Sequence, residues 1–203
     1  MLKLASLAKD TPEKTLLMRG VNPESLESIV SAVAGVGTPL TVKEIVDDAF
    51  LPKQGYRTSF PIGRFGDGTK GVYYAALEEV TCERELGFRL SAEFADMALG
   101  AFDYPRFFTL INCGYAGTTA ELRGKEVAYP DLMSATVAGY PFCQSLGSQA
   151  GALGIDGFYT ASARHAGGTC VPVFARPALS DPKIEYQVKA VAEHGEVQFQ
   201  RVP

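Results

Sequence analysis

The sequence predicts an α+β fold, and three patterns predict it. Capped, helix-periodic segments occupy the first half, and short runs of β-branched and aromatic residues interrupt them. The chain then closes on four strand-like runs between about residues 157 and 202 with turns between them.

The elements follow in order. Asn22-Pro23-Glu24 ahead of Leu26, Ile29, Val30 and Val33 reads as a capped amphipathic helix that stops at Gly35. Thr41-Val-Lys-Glu44 has the spacing of a capping box and opens a second helix through Ile45, Val46 and Ala49. Pro52 to Gly71 is loop-rich, and Val72-Tyr-Tyr-Ala-Ala76 reads as a buried strand. Thr81 to Ala98 is helical by spacing, weakened by Gly87. Phe107–Asn112 and Ala120–Arg123 read as strands, and 131–153 as helices interrupted at Gly139–Pro141. The closing strands are expected at Gly157–Ala161, Thr169–Ala175, Ile184–Val191 and Val197–Val202. The 203 residues suit one domain, 1–203, with 1–50 as its N-terminal helical part.

Composition narrows the function classes. A chain this long buries roughly 70% of its extended surface, so it needs no disulfide staples. Cys82, Cys113, Cys143 and Cys170 are scattered without a Cys-x-x-Cys pair and read as small buried residues. With only His165 and His194 beside them, their spacing argues against a zinc site. The net charge of −4, with no basic stripe, argues against a nucleic-acid surface. No apolar run approaches a membrane span and the start is too short for a signal peptide, so the chain reads as cytosolic.

Two segments carry most of the chemistry. In Gly63-Arg-Phe-Gly-Asp-Gly-Thr-Lys-Gly71, the spacing G-x-G-x-x-G precedes a strand instead of following one, which excludes a dinucleotide fingerprint. The glycines fit a tight turn or a close backbone approach. Arg64 beside that turn is either a surface arginine or a fork for a pyrophosphate. Tyr73 and Tyr74 alternate across their strand, so one faces the core and the other a cleft. Glu78, Glu79, Glu83 and Glu85 read as a solvated helix face, of which Glu83 and Glu85 cannot both point into one site. Ser162 with His165 suggests a dyad, but no G-x-S-x-G elbow accompanies it. An arginine for phosphate, an aromatic face for a flat ring and a carboxylate for a developing cation are together what a site attacking NAD needs.

The whole pattern resembles the RES domain, a bacterial toxin family named for an arginine, a glutamate and a serine. Gly63-Arg-Phe, the glycine turn and Tyr73-Tyr-Ala-Ala76 look like one family block. Asp156-Gly, Ser162-x-Arg164, Gly167-Gly-Thr-Cys170 and Phe174 look like another. The resemblance makes Arg64 the family arginine, Tyr74 the family tyrosine and Ser162 the family serine. Thr81-Cys82 then places the glutamate at Glu85, with Glu83 as fallback. Two departures stand out: Arg89 occupies a position where the family often has histidine, and Thr160-Ala161 replaces a Tyr-Pro pair.

The resemblance implies an ADP-ribosyltransferase-like mixed β core with surrounding helices and NAD as substrate, without a metal. It implies cleavage of the nicotinamide–ribose bond, by hydrolysis, phosphorolysis or transfer of ADP-ribose to a protein. Arg64 would hold the phosphates, Tyr74 would stack on nicotinamide, Glu85 would stabilise the ribose cation and Ser162 would hydrogen-bond the ribose or nicotinamide end. A cognate antitoxin is the implied partner. The competing class is a RES-like binding module without turnover that acts through a protein partner.

Overall fold

A computed structural model of the chain describes residues 1–5, 41–52, 60–96, 106–193 and 196–202. The expected α+β architecture is present: three α-helices and an eight-stranded mixed sheet among the described residues. The strands are β1 (Leu2–Ala5), β2 (Tyr73–Ala76), β3 (Arg106–Tyr115), β4 (Thr119–Glu121), β5 (Gly157–Ala161), β6 (Thr169–Val173), β7 (Leu179–Glu193) and β8 (Glu196–Arg201). The helices are α1 (Val42–Asp48), α2 (Glu79–Asp96) and α3 (Tyr140–Ala152). Sheet order is β4-β5-β6-β2-β1-β3-β7-β8, with β4–β5 parallel and the other pairs antiparallel. The helix expected from Asn22 to Gly35 lies outside the described residues.

Alternation along the central strands sorts the two faces of the sheet. Tyr73, Ile111, Val171 and Val173 pack with Ile45 and Val46 of α1 on one face. On the other, α2 sets Cys82, Leu86 and Leu90 against Leu4, Ala76, Phe108, Leu110 and Val188. A third cluster on that second face joins Phe65, Leu132, Phe158 and α3 through Cys143 and Ala150, with Tyr74 against it. The ends of β2, β5 and β6 therefore meet the flanks of both α2 and α3. Among the described residues no helix is long and apolar enough to cross a membrane.

Local chemistry explains the helix ends. The capping box at Thr41 is complete: the Glu44 amide donates to Thr41 Oγ1 and the Thr41 amide to Glu44 Oε2, at 3.2 and 2.7 Å. Asp47, at the end of α1, accepts from Lys43 and Arg176, and these hydrogen bonds hold its carboxyl below the usual carboxylate range. One expectation needs correction. Residues 131–153 are not two helices broken at Gly139–Pro141. Two 3-10 turns, Pro130–Met133 and Val137–Gly139, precede α3. Pro141 sits in the first turn of α3, where its missing N–H has no intrahelical acceptor to lose, so it starts the helix instead of breaking it.

Two glycines of α3 differ sharply in their surroundings. A Cβ on Gly147 would lie 2.1 Å from the Phe65 carbonyl oxygen, so the bare backbone lets α3 seat directly on the turn that carries Arg64. A Cβ on Gly151 would meet only the flexible end of Lys70, at 3.1 Å. Gly147→Ala is expected to destabilise the fold by about 1–3 kcal/mol through overpacking. Gly151→Ala is expected to stabilise it by about 0.5–1 kcal/mol, the helix-propensity gain. Chemical denaturation of the two variants checks both signs.

Candidate active site

The turn that carries Arg64 is built from Gly63 and Gly66, whose amides and carbonyls bond each other at 2.8 and 3.4 Å. Phe65 points into the third cluster, its ring edge-on to Phe158 at 5.5 Å. The phenol of Tyr74 lies under the turn and accepts the Phe65 N–H at 2.9 Å. A Cβ on Gly63 would come within 2.6 Å of that phenol oxygen, so glycine is what allows the approach. Burial raises the Tyr74 phenol well above its ordinary pKa, so it stays protonated. Gln144 of α3 adds a hydrogen bond to the Gly63 carbonyl at 3.1 Å. Strand β2 and helix α3 thus fix the turn from both sides.

Arg64 leaves this turn towards the end of β5. Its Nη1 donates to the Leu132 carbonyl at 3.1 Å and its Nη2 to the Ala161 carbonyl at 3.3 Å. The next residue, Ser162, is buried and donates to Glu85 Oε1 at 2.6 Å. Cys170 donates its thiol to the same oxygen at 3.3 Å. Burial, then the Glu85 charge, pushes that thiol up to about 12, so it is a donor at neutral pH. Ser162 Oγ also accepts the amides of Arg164 and His165, at 3.1 and 3.0 Å. One donated and two accepted hydrogen bonds use the whole capacity of a hydroxyl. Glu85 has Oε1 held by two donors, while Oε2 has no hydrogen bond among the described residues.

Helix α2 and Glu78, the residue immediately before it, send their carboxylates in two directions. Glu78, Thr81 and Glu85, at i, i+3 and i+7, form one line along the helix. Glu78 accepts from the Thr81 hydroxyl at 2.7 Å and from the Thr169 amide at 2.9 Å. Because the Thr81 hydrogen goes to Glu78, its oxygen accepts from His165 Nδ1 at 2.8 Å. Glu78, Thr81 and Glu85 therefore engage, in turn, Thr169, His165 and Ser162 of the β5–β6 hairpin. Glu79 and Glu83 face elsewhere: Glu79 pairs with Arg201 at 3.5 Å, and burial followed by the Glu79 charge raises Glu83 above the usual carboxylate range.

The structure thus brings Arg64, Glu85 and Ser162 to one place, with Tyr74 bracing the Arg64 turn, and leaves Glu83 out. It also dissolves the Ser162–His165 dyad, since the serine meets the histidine amide and the ring turns to Thr81. Cys170 and the Glu78–Thr81–His165 chain were missed by the sequence reading. The i, i+3, i+7 spacing of Glu78, Thr81 and Glu85 is the signal that points to the chain, and no local signal points to Cys170. All four cysteines are free and buried, as small core residues would be. A cavity of about 230 Å³ lies near the opposite end of β5, among Phe65, Lys70, Gly147, Ile155, Asp156 and Phe174. Its lining contains none of Arg64, Glu85 and Ser162.

No curated protein matches the chain closely enough to serve as a relative. The RES domain model does match, over residues 42–199, a span that contains the Arg64 turn, α2 with Glu85, and the β5–β6 hairpin with Ser162. With its mixed sheet consistent with the ADP-ribosyltransferase-like fold of that family, the chain belongs to the RES domain family.

Proposed function

We propose that this protein is the toxin of a toxin–antitoxin module and cleaves the nicotinamide–ribose bond of NAD. One observation carries the reading: Glu85 is fixed through Oε1 by Ser162 and Cys170, has Oε2 without a hydrogen bond among the described residues, and lies beside the strand end that Arg64 reaches. Family membership supports it, since RES domains are in general NAD-degrading.

The chemistry follows from charge. As the bond from the ribose C1′ to the nicotinamide nitrogen breaks, its electron pair goes to the ring. The cationic pyridinium leaves as neutral nicotinamide, and positive charge develops on the ribose. Glu85 Oε2 beneath that carbon stabilises the cation more in the transition state than in the ground state. An acceptor oxygen then forms the new bond to C1′. With water, the products are ADP-ribose, nicotinamide and a proton; with inorganic phosphate or a protein side chain, the acceptor takes the place of water. Arg64 holds the pyrophosphate and the ring face of Tyr74 stacks on nicotinamide. Ser162, with its hydroxyl fully engaged, is a positioning residue that acts through Glu85.

A chain that drains NAD would poison its own cell, so the reading includes a cognate antitoxin. Arg64 at the mouth of the site suits an acidic or C-terminal carboxylate of that partner. Expression of the chain alone is expected to slow growth, and co-expression of the product of a neighbouring gene to restore it. Harmless expression of folded chain active on NAD would remove the toxin role.

Purified protein incubated with NAD is expected to release free nicotinamide without forming NADH. No release with water, phosphate or candidate acceptor proteins would leave a binding module instead. Glu85→Gln is expected to lower turnover by at least about a hundredfold, on the order of 3 kcal/mol, with NAD affinity largely kept. Glu83→Gln, on the other side of α2, is expected to retain activity. The reverse pattern would assign the carboxylate to Glu83. Ser162→Ala is expected to lower kcat by about tenfold to a hundredfold with KM little changed, the loss of one hydrogen bond to a charged group. A rise in KM alone would show instead that Ser162 touches the substrate.

A further inference from the structure

The hairpin that holds Glu85 carries a second cation. Arg164, two residues after Ser162, stacks its guanidinium on the Phe88 ring at 3.6 Å, and Phe88 stands one helical turn beyond Glu85 on α2. Its Nη2 donates to the Ala135 carbonyl at 2.6 Å and its Nη1 to the Ala163 carbonyl at 3.5 Å. The enclosed Nε–H has no acceptor among the described residues. Its amide, as noted, bonds the hydroxyl that fixes Glu85.

Arg164 and Arg64 share an unusual situation. Both guanidiniums reach the short segment between Leu132 and Ala135, and both touch a carbonyl adjacent in sequence to Ser162, Ala161 for one and Ala163 for the other. Neither has a carboxylate partner among the described residues. Elsewhere Arg123, Arg176 and Arg201 pair with Glu121, Asp47 and Glu79. The chain has 23 acidic and 19 basic residues, so carboxylates are not scarce. Two partly buried guanidiniums left uncompensated beside one carboxylate point to a negative charge supplied from outside. Carbonyl partners orient each fork without neutralising it, and the stack on Phe88 fixes one of them further.

We propose that Arg164 is a second phosphate-binding residue of the site, acting beside Arg64 on a phosphate oxyanion. The proposal rests on the reading that the site takes a phosphorylated substrate. The oxyanion has two possible sources with the same chemistry: the pyrophosphate of NAD, or free inorganic phosphate arriving as acceptor.

The test uses the full chain and two probes. Calorimetric titration with ADP-ribose reports the pyrophosphate. The dependence of nicotinamide release on inorganic phosphate, alongside direct phosphate titration, reports the acceptor. Arg164→Gln is expected to weaken one of these by about tenfold or more, the loss of a charge-assisted fork. Weaker ADP-ribose binding assigns Arg164 to the pyrophosphate. Unchanged ADP-ribose with loss of phosphate binding or response assigns it to the acceptor. Arg164→Lys, which keeps the charge and loses the fork, is expected to fall between, and Phe88→Leu to weaken the same probe by about threefold. Wild-type affinity for both probes in folded Arg164→Gln overturns the proposal. If that variant does not fold, wild-type affinities in both Arg164→Lys and Phe88→Leu overturn it. Wild-type protein that binds ADP-ribose yet releases no nicotinamide would defeat bond cleavage, while Arg164→Gln would still decide the phosphate role.

Discussion

The hydrogen bond from Ser162 to Glu85 is the contact on which the rest of the site depends. It joins a helix to the end of a strand, and every other feature fixes one or other side of it. On the helix side, Cys82, Leu86 and Leu90 anchor α2 on the sheet, which leaves the line of Glu78, Thr81 and Glu85 to face the hairpin. On the hairpin side, the amides of Arg164 and His165 fix the serine oxygen, and Glu78 holds the Thr169 amide. A lone surface pair would be worth little, but a buried serine on a carboxylate in a satisfied network is held in one geometry.

That geometry divides labour among groups of similar chemistry. Four glutamates stand within eight residues, Glu78 just ahead of α2 and three on it, and the 3.6-residue period sends two to the hairpin and two towards β8. Two hydroxyl-bearing side chains do unlike jobs as well. Ser162 spends its hydrogen on the carboxylate at the site, and Thr81 spends its own on Glu78 and so sets the tautomer of His165. The glycines of the turn act through clearance, because Tyr74 reaches Phe65 N–H only where Gly63 has no side chain.

Much of this was legible in the sequence, and the exceptions have physical reasons. Local signals are plain in the sequence: the capping box at Thr41, the strand of Tyr73–Ala76, and the turn that precedes a strand instead of following one. Period two puts Tyr73 and Tyr74 on opposite faces, and the structure decides which is which, with Tyr73 in the first cluster and Tyr74 against the third. Harder to read was anything that joins distant segments. The thiol of Cys170 meets Glu85 across 85 residues of chain, and Arg164 of the same hairpin meets Phe88 of α2. No local pattern encodes either contact. The 3-10 turns before α3 escaped for a different reason, since a Gly–x–Pro sequence reads equally as a break in a helix or as its beginning.

The central claim is that Glu85 stabilises positive charge on the ribose as nicotinamide leaves. A single-turnover measurement with NAD carrying deuterium at the ribose C1′ tests it most directly. The account predicts a normal secondary isotope effect on nicotinamide release, because the carbon passes through a cation-like state before the acceptor bonds. Release with no isotope effect, or transfer of hydride to give NADH, would contradict it.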